Sequence, residues 1–474
     1  MDGRLKLWQG AGLALGGLLV LYAVISHLHY FGSISFLGAI LLIEIVLASL
    51  WKYDQRFYAM LMIAFLWAGM HLPLQDAWTG GRWFVLAAGT IVGYIVWMRE
   101  PRRSFRTIHL LAFFCIGAAF VSATVSSYVQ MASFKAISLT LLFLYCSSGA
   151  RLAVIGREER FFRGLILACE IVVYVTAVCY LGMGESIWGN PNSLGASMSV
   201  GIFPILLWGW FISEGPATRF RRLAVLLLCV YLTIFSLARA GIISMIVVTL
   251  LFCISLRQYR LLAKIAALVL VAVALTGMVA PLVLEKATET LSDVVLYKGH
   301  KDKGLLGSRS SPWEKSISSI KERPWFGTGY GTSPTGEDPG LAFGRFASSA
   351  ETVREHGSSY MTIAEWVGLA GVLPFLALLW ITASNTASVF AWMRRTCEFR
   401  NYAVPVAMVL AAGLIHASFE DWLFAVGAYP CVYFWIFAFL LADLKPAAAV
   451  TSNVTVFPRR AAMPVALSAA ASHR

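Results

Sequence analysis

Charge is scarce in this chain: Asp, Glu, Lys and Arg together make up 13% of its 474 residues, against 59% hydrophobic. A soluble protein of this length needs far more polar surface, so a water-soluble fold is excluded. A mean hydropathy of +0.73 belongs to a polytopic membrane protein. Cysteine is also sparse. The eight residues, at 115, 146, 169, 179, 229, 253, 397 and 431, form no C-x-x-C pair, which argues against a disulfide framework and a zinc site. The glycine-rich "FGTGYG" (326–331) has no strand before it and no Walker Lys-Ser/Thr after it. A phosphate-loop reading is therefore rejected, and its glycines are assigned to a tight turn after Pro324. The formal charge of +13 does not point to nucleic acid, because in a membrane protein the positions of the charges matter more than their sum.

What is present is a long series of apolar runs. They lie near 8–28, 35–51, 57–73, 83–98, 108–127, 135–150, 163–183, 193–213, 223–238, 240–256, 262–283, 360–383, 403–417 and 424–443. Each is about long enough to cross a bilayer, which requires roughly 17 residues or more. The expected fold is an all-α polytopic integral membrane protein with about 12–14 transmembrane helices. Glu44 interrupts the second run, and 223–256 reads as a pair broken around Arg239. The first run, starting near Leu7, is followed by no small-residue cleavage site, so it reads as a retained span. Sixteen Trp and 17 Tyr suit two interfacial belts.

The connections sort by charge. "KYDQR" (52–56), "REPRRSFR" (99–106), "RLAVIGREERFFR" (151–163), "TRFRR" (218–222), "RQYRLLAK" (257–264) and "MRRTCEFR" (393–400) alternate with connections nearly free of Lys and Arg. The positive-inside rule then places both termini in the cytoplasm, and none of the cysteines falls in an outer connection. The expected organisation is N-terminal transmembrane helices over 1–183 and central helices over 184–283. A large outer loop carrying short helices follows over 284–358, then C-terminal helices over 359–444 and a disordered cytoplasmic tail over 445–474. Within the loop, Trp313, Ile317 and Ile320 fall at helical spacing. A loop of that length is usually a functional element.

Unusual polar residues gather on the outer side. "WGNPNSLG" (188–195) opens one span, and "SLARAG" (236–241) puts Arg239 in a hairpin barely long enough to turn. The loop carries Arg309, Arg323, Arg345 and then "REHGSSY" with His356, while "IHASFEDW" holds His416, Glu420 and Asp421 between the last two spans. Arg239 is the most informative. A charge at such depth costs roughly 2.5–3.5 kcal/mol on the insertion scale, so it needs an anionic partner. Glu420 or Asp421 is one choice, and a phosphate held by the guanidinium fork is the other. Alone, Arg309, Arg323 and Arg345 read as solvated loop residues, and "NPN" as a helix-start turn. His356 reads as either an interfacial histidine or a general base.

The ordered set "GNPNSLG", "SLARAG", "SRSSPWEKSISSIKERPWFGTGYG" and His356 leading into "AEWVGLAG" resembles the O-antigen ligase and Wzy-type polymerase superfamily of bacterial envelope glycan enzymes. The resemblance covers roughly residues 185–440. It departs from the family pattern in having Gly357 directly after the histidine and Tyr360 one place late. The resemblance implies a GT-C-like glycosyltransferase of the bacterial inner membrane with a periplasmic active face. The donor would be a glycan on undecaprenyl diphosphate, and the acceptor a sugar hydroxyl of lipid A core or of a growing polysaccharide. Arg239 and Arg309 would bind the diphosphate, His356 would take the proton of the attacking hydroxyl, and Glu355, Glu365 or Asp421 would orient the imidazole. Asn190, Asn192, Arg323, Glu365 and Asp421 are the expected substrate-binding residues. No metal or other cofactor is expected, with the two guanidinium groups standing where a divalent ion would otherwise act. The bilayer is a partner and nucleic acid is not. Two other readings are a transporter or flippase of lipid-linked sugars, and a non-catalytic subunit of a polysaccharide export complex. Transporter sites, however, lie near the bilayer midplane rather than at one face.

Overall fold

The computed structural model describes residues 57–71, 75–99, 105–184, 187–264, 307–333 and 354–446, with a few more between 266 and 274. The runs near 8–28 and 35–51, most of 262–283, Arg345 and the expected tail from 447 onward lie outside the described residues. The fold is all-α, with no strand among the described residues. Six of the described helices are long and apolar enough to cross a membrane, and shorter apolar helices pack among them. This is a polytopic membrane protein.

In chain order the helices are α1 (Phe57–Ala68), α2 (Gln75–Arg99), α3 (Thr107–Thr124), α4 (Val129–Ser147), α5 (Gly149–Val154) and α6 (Glu158–Ala177). After α6 come α7 (Pro191–Ala196), α8 (Phe203–Phe211), α9 (Pro216–Phe235) and α10 (Arg239–Ser255). The remainder are α11 (Gly307–Glu322), α12 (Ser359–Thr396), α13 (Ala403–His416) and α14 (Tyr429–Leu444). A wide turn of π-helix over Ser197–Ile202 joins α7 to α8. There Tyr433 donates to the Gly201 carbonyl at 3.1 Å, and Tyr429 bonds Ser197. The core is densest along α13 and α14, where nearly every side chain is buried. Small residues let helices approach closely: a Cβ on Gly93 would come within 2.6 Å of the Gly149 backbone.

The stretch 223–256 is two helices. Leu237, at φ 53, makes the turn between α9 and α10, and the Ser236 hydroxyl accepts from the Ala238 amide at 3.3 Å. Gly195 of α7 packs against this turn, where a Cβ would fall 2.2 Å from that of Ala238. The "GNPNSLG" and "SLARAG" stretches therefore form one packed unit.

The connections gather at two ends of the bundle. At one end Arg106 and Arg151 pair with Asp443, Arg221 and Arg222 with Glu170, and Arg400 with Glu214. At the other end His71 bonds Ile187, Ser126 bonds Thr332, Lys135 bonds the Gly331 carbonyl and Arg82 bonds the Gly427 carbonyl. This is the same division that the Lys/Arg pattern makes in the sequence.

α12 is broken at Gly368, which has φ 65 and ψ −178. The break is filled by the chain's own loop. Thr328 and Gly329 amides donate to the Glu365 and Trp366 carbonyls at 2.9 and 3.1 Å, while Leu369 and Ala370 amides donate to the Pro324 and Trp325 carbonyls at 2.7 and 3.1 Å. The Ser122 hydroxyl adds a bond to the Trp366 carbonyl at 2.5 Å. Irregular backbone at membrane depth persists only where such partners satisfy it. The segment does turn directly after Pro324, where the Gly327 amide donates to the Arg323 carbonyl at 3.2 Å and Gly327, Gly329 and Gly331 all have positive φ, but the same glycines have a second role. A Cβ on Gly327 would stand 2.4 Å from the Glu365 carbonyl oxygen, and one on Gly368 2.5 Å from the Trp325 backbone. The glycines also allow close backbone approach. The amphipathic loop helix is present as α11, with Ser316 buried and Ile317 exposed. Its inward face therefore runs through Arg309, Trp313 and Ser316, one position away from the expected Ile317.

Candidate functional site

The N-terminus of α12 is tied to the α13–α14 connection. The Ser359 amide donates to the Ala417 and Glu420 carbonyls, each at 2.9 Å, and the Leu423 amide donates to the Ser359 hydroxyl at 3.1 Å. Tyr360 donates to the Leu414 carbonyl at 2.7 Å. This clamp places His356, three residues before α12, directly over Asp421.

His356 is completely buried. Asp421 Oδ2 accepts from its backbone amide at 3.0 Å and from Nδ1 at 3.2 Å. Nε2 lies 2.8 Å from Ser333 Oγ, which also accepts from Trp366 Nε1 at 3.2 Å. Glu365 Oε1 stands 3.4 Å from Nε2, at ion-pair distance but outside hydrogen-bond geometry. The other Glu365 oxygen takes Arg354 Nη2 at 2.6 Å. Glu365 reaches this point because it sits at the start of the α12 break.

Burial alone would lower the pKa of His356, but the bonds to Asp421 and the neighbouring Glu365 carboxylate outweigh it, and the value is raised above 6.5. For Asp421, burial would raise the pKa, yet the His356 ring and amide hold it below 3.8. Each partner thus favours the charged form of the other. When protonated, His356 donates from both nitrogens and has no lone pair with which to accept a proton; when neutral, with Nδ1–H on Asp421, Nε2 carries the lone pair.

Arg309, on α11, spans Glu355 at 2.6 Å and Glu420. Glu420 is the more deeply placed carboxylate, with burial raising its pKa and Arg309 opposing that rise. Arg309 lies against the residue after the histidine. A Cβ on Gly357, which has φ +71, would come 2.9 Å from Arg309 Cδ, and Trp313 Nε1 donates to the Gly357 carbonyl at 3.3 Å. The glycine at this position is accounted for by the passage of the Arg309 side chain. Arg239, the first residue of α10, lies close enough to Arg309 for the two like charges to repel. Its N-cap, Ala238, has no side chain to satisfy the first-turn amides of α10.

Of the residues expected from sequence, His356, Arg309, Glu365 and Asp421 are brought into one cluster, with Arg239 within electrostatic range of Arg309. Glu355 pairs with Arg309 rather than orienting the imidazole, and Glu420 and Asp421 take Arg309 and His356 as partners. Asn190 is the N-cap of α7, its side chain accepting from the Ser193 amide at 2.7 Å, while Asn192 follows in the first turn. Arg323 is exposed just beyond the end of α11. Sequence reasoning missed Ser333. It lies in "GTSPTGED", where no spacing marks one hydroxyl above another.

Residues 224–360 match the O-antigen ligase family. The chain carries an O-antigen ligase domain. That domain begins within α9, ends at the first turn of α12 and so contains Arg239, Arg309, Arg354 and His356. Glu365, Glu420 and Asp421, which hold its arginine and histidine in place, lie C-terminal to it. No curated protein matches the chain.

Proposed function

We propose that this protein is an O-antigen ligase or polymerase type glycosyltransferase. It moves a glycan from undecaprenyl diphosphate to an acceptor sugar hydroxyl, of lipid A core or of a growing polysaccharide, at the outer face of the bacterial inner membrane. The observation that carries the reading is that Arg309, from the loop helix, pairs with Glu355 and Glu420, the immediate neighbours of the His356–Asp421 pair, within electrostatic range of Arg239. Cationic groups that stabilise a diphosphate leaving group and a histidine positioned by a carboxylate are the parts such a transfer needs.

Arg239 and Arg309 are the proposed diphosphate ligands. The guanidinium of Arg239 and the uncapped amides of α10 both favour an anion at this point. Arg309 already holds two carboxylates, of which Glu355 is 66% exposed and Glu420 18%. A phosphate oxygen would displace Glu355 and leave Glu420 in place. No metal is assigned to the step. The charge that develops on the leaving diphosphate is met by the two guanidinium groups.

Ser333 Oγ, 2.8 Å from His356 Nε2, stands where an acceptor hydroxyl has to sit for proton transfer. In the proposed reaction Ser333 gives way, a neutral His356 accepts the acceptor's proton at Nε2, and Asp421 stabilises the resulting imidazolium through Nδ1. The acceptor oxygen forms its bond to the anomeric carbon as the bond to the diphosphate breaks. Asn190, Asn192 and Arg323 are proposed as more distant contacts to the sugar chain. A transporter reading gains nothing from the α12 break, because the groups freed there are bonded to residues 324–329 rather than left for a substrate. The test is transfer from a purified lipid-linked donor by the reconstituted protein. Absence of transfer with a competent donor and acceptor would remove the proposal. In a deletion strain, single repeats on lipid A would mark a polymerase, and full-length chains stranded on the carrier a ligase.

A further inference from the structure

A cavity of about 570 Å³ lies between α2, α3, α4 and α14. It sits at the opposite end of the bundle from His356: α3 runs from Thr107 at the cavity to Ser122, which bonds the α12 break. Its volume falls in the roughly 300–1,000 Å³ range of small-ligand sites. Its walls are apolar, built from Leu110, Phe113, Phe143 and Phe439. Leu110 and Phe113 are 56% and 68% exposed, so the cavity opens sideways onto the lipid-facing surface of the bundle.

One end of the cavity is polar. Arg106, His109, Tyr94 and Ser147 line it. Behind them Arg151, 2% exposed, holds both oxygens of Asp443 at 2.6 and 3.0 Å. Arg106 has the weaker claim on the same carboxylate, at 3.4 Å, and its side chain is 43% exposed. Two guanidinium groups thus share one carboxylate, which leaves a surplus positive charge at the rim of an apolar slot. The adjoining "REPRRSFR" adds further positive charge in sequence.

We propose that this cavity is a lateral binding site for an anionic glycerophospholipid, with its phosphodiester on Arg106 and an acyl chain along Leu110, Phe113, Phe143 and Phe439. A free phosphate would leave the apolar walls unused, and a zwitterionic lipid would leave the surplus charge unmet. Basic pockets between transmembrane helices hold anionic headgroups in this way. The proposal is independent of the transferase reading, since none of these residues contacts the His356 cluster.

The test uses the full chain in a neutral detergent, with phosphatidylglycerol and phosphatidylcholine of identical acyl chains added in turn. Retained lipid is read by native mass spectrometry and the melting temperature is followed in parallel. Phosphatidylglycerol is expected to be retained roughly fivefold better, the worth of one basic group near an anionic headgroup, and to raise the melting temperature. R106Q should lose this preference and R106K should keep it. Leu110→Trp, which narrows the slot while leaving Arg106 and its bonds intact, should weaken retention of phosphatidylglycerol. Equal retention of the two lipids overturns the proposal, as does an undiminished preference in R106Q. Stabilisation by inorganic phosphate equal to that by phosphatidylglycerol would show a free-anion site instead. If R106Q does not fold, unaltered retention in Leu110→Trp is the overturning result.

Discussion

A single oxygen of Asp421 accepts two hydrogen bonds from His356, one from its backbone amide at 3.0 Å and one from Nδ1 at 3.2 Å. The carboxylate therefore fixes both the chain and the ring of the same residue, 65 positions earlier in sequence. With Nδ1 committed, Nε2 is the nitrogen left to face a substrate.

His356→Ala should lower transfer by about 10²–10⁴-fold, the usual worth of general-base help, while donor binding is kept. Single-turnover rates and donor affinity, measured separately on reconstituted protein, check this. Near-wild-type turnover would falsify the base assignment.

Stability and activity should respond to pH in opposite senses. The raised pKa of His356 means that the folded protein holds this proton more tightly than the unfolded chain. Its stabilisation is complete below 6.5 and is lost as pH rises through the raised value. Asp421, held below 3.8, contributes above that value and loses its contribution as pH falls through the lowered one. Both contributions are present between 3.8 and 6.5. The melting temperature of the wild type, relative to His356→Gln, should be greatest in that window and should fall above it. Transfer should instead rise as pH passes the raised pKa, because only neutral imidazole accepts a proton. Parallel pH profiles of melting and turnover separate the two.

Removing Arg309 leaves Glu420 unpaired in a mostly buried position, so Arg309→Ala should cost about 2–4 kcal/mol of stability, near the range for breaking a buried pair. Adding Glu420→Gln should restore most of that stability. Donor binding should stay impaired in the double variant if Arg309 also meets the diphosphate. Recovery of both properties together would reduce Arg309 to a structural role.

Gly368→Ala should destabilise the α12 break by about 1–3 kcal/mol, the cost of forcing a side chain into a left-handed backbone that is also sterically closed. Transfer should fall with it, because Glu365 is carried by the same break. Thermal unfolding and activity of Gly368→Ala, compared with Gly117→Ala in the regular helix α3, where an added Cβ meets nothing within 4 Å, test the assignment.

The exposed thiol of Cys397, in the "MRRTCEFR" connection, should react with an impermeant maleimide only from the cytoplasm. A cysteine introduced as Arg323→Cys should react only from outside. The reverse pattern would invert the topology read from the Lys/Arg asymmetry.

The helices and their charged connections are legible because burial in lipid and the positive-inside rule act on composition, which a single sequence displays. Arg239 is legible because a charge between two apolar runs is expensive and so stands out, whereas Arg309 and His356 are marked only by the ordered motifs that resemble the family. Ser333 is not legible, since one hydroxyl in a polar loop costs nothing until the fold buries it. The break in α12 is hidden for a related reason. "WVGLAGVLPF" reads as continuous apolar helix, and only the partner segment, dozens of residues earlier, makes a break affordable. That partner also completes the meaning of "FGTGYG", whose glycines serve a contact distant in sequence as well as the local turn after Pro324.

The order of these two segments along the chain bears on how the protein is made. Residues 324–329 leave the ribosome before 365–370, so the amides and carbonyls that complete α12 already exist when its broken turn emerges. A span with four unpaired backbone groups would insert poorly by itself, since each such group costs several kcal/mol in hydrocarbon. The nascent chain thus supplies the remedy ahead of the defect. Circular rearrangements that reverse this order should impair membrane integration even where every contact of the mature protein could still form.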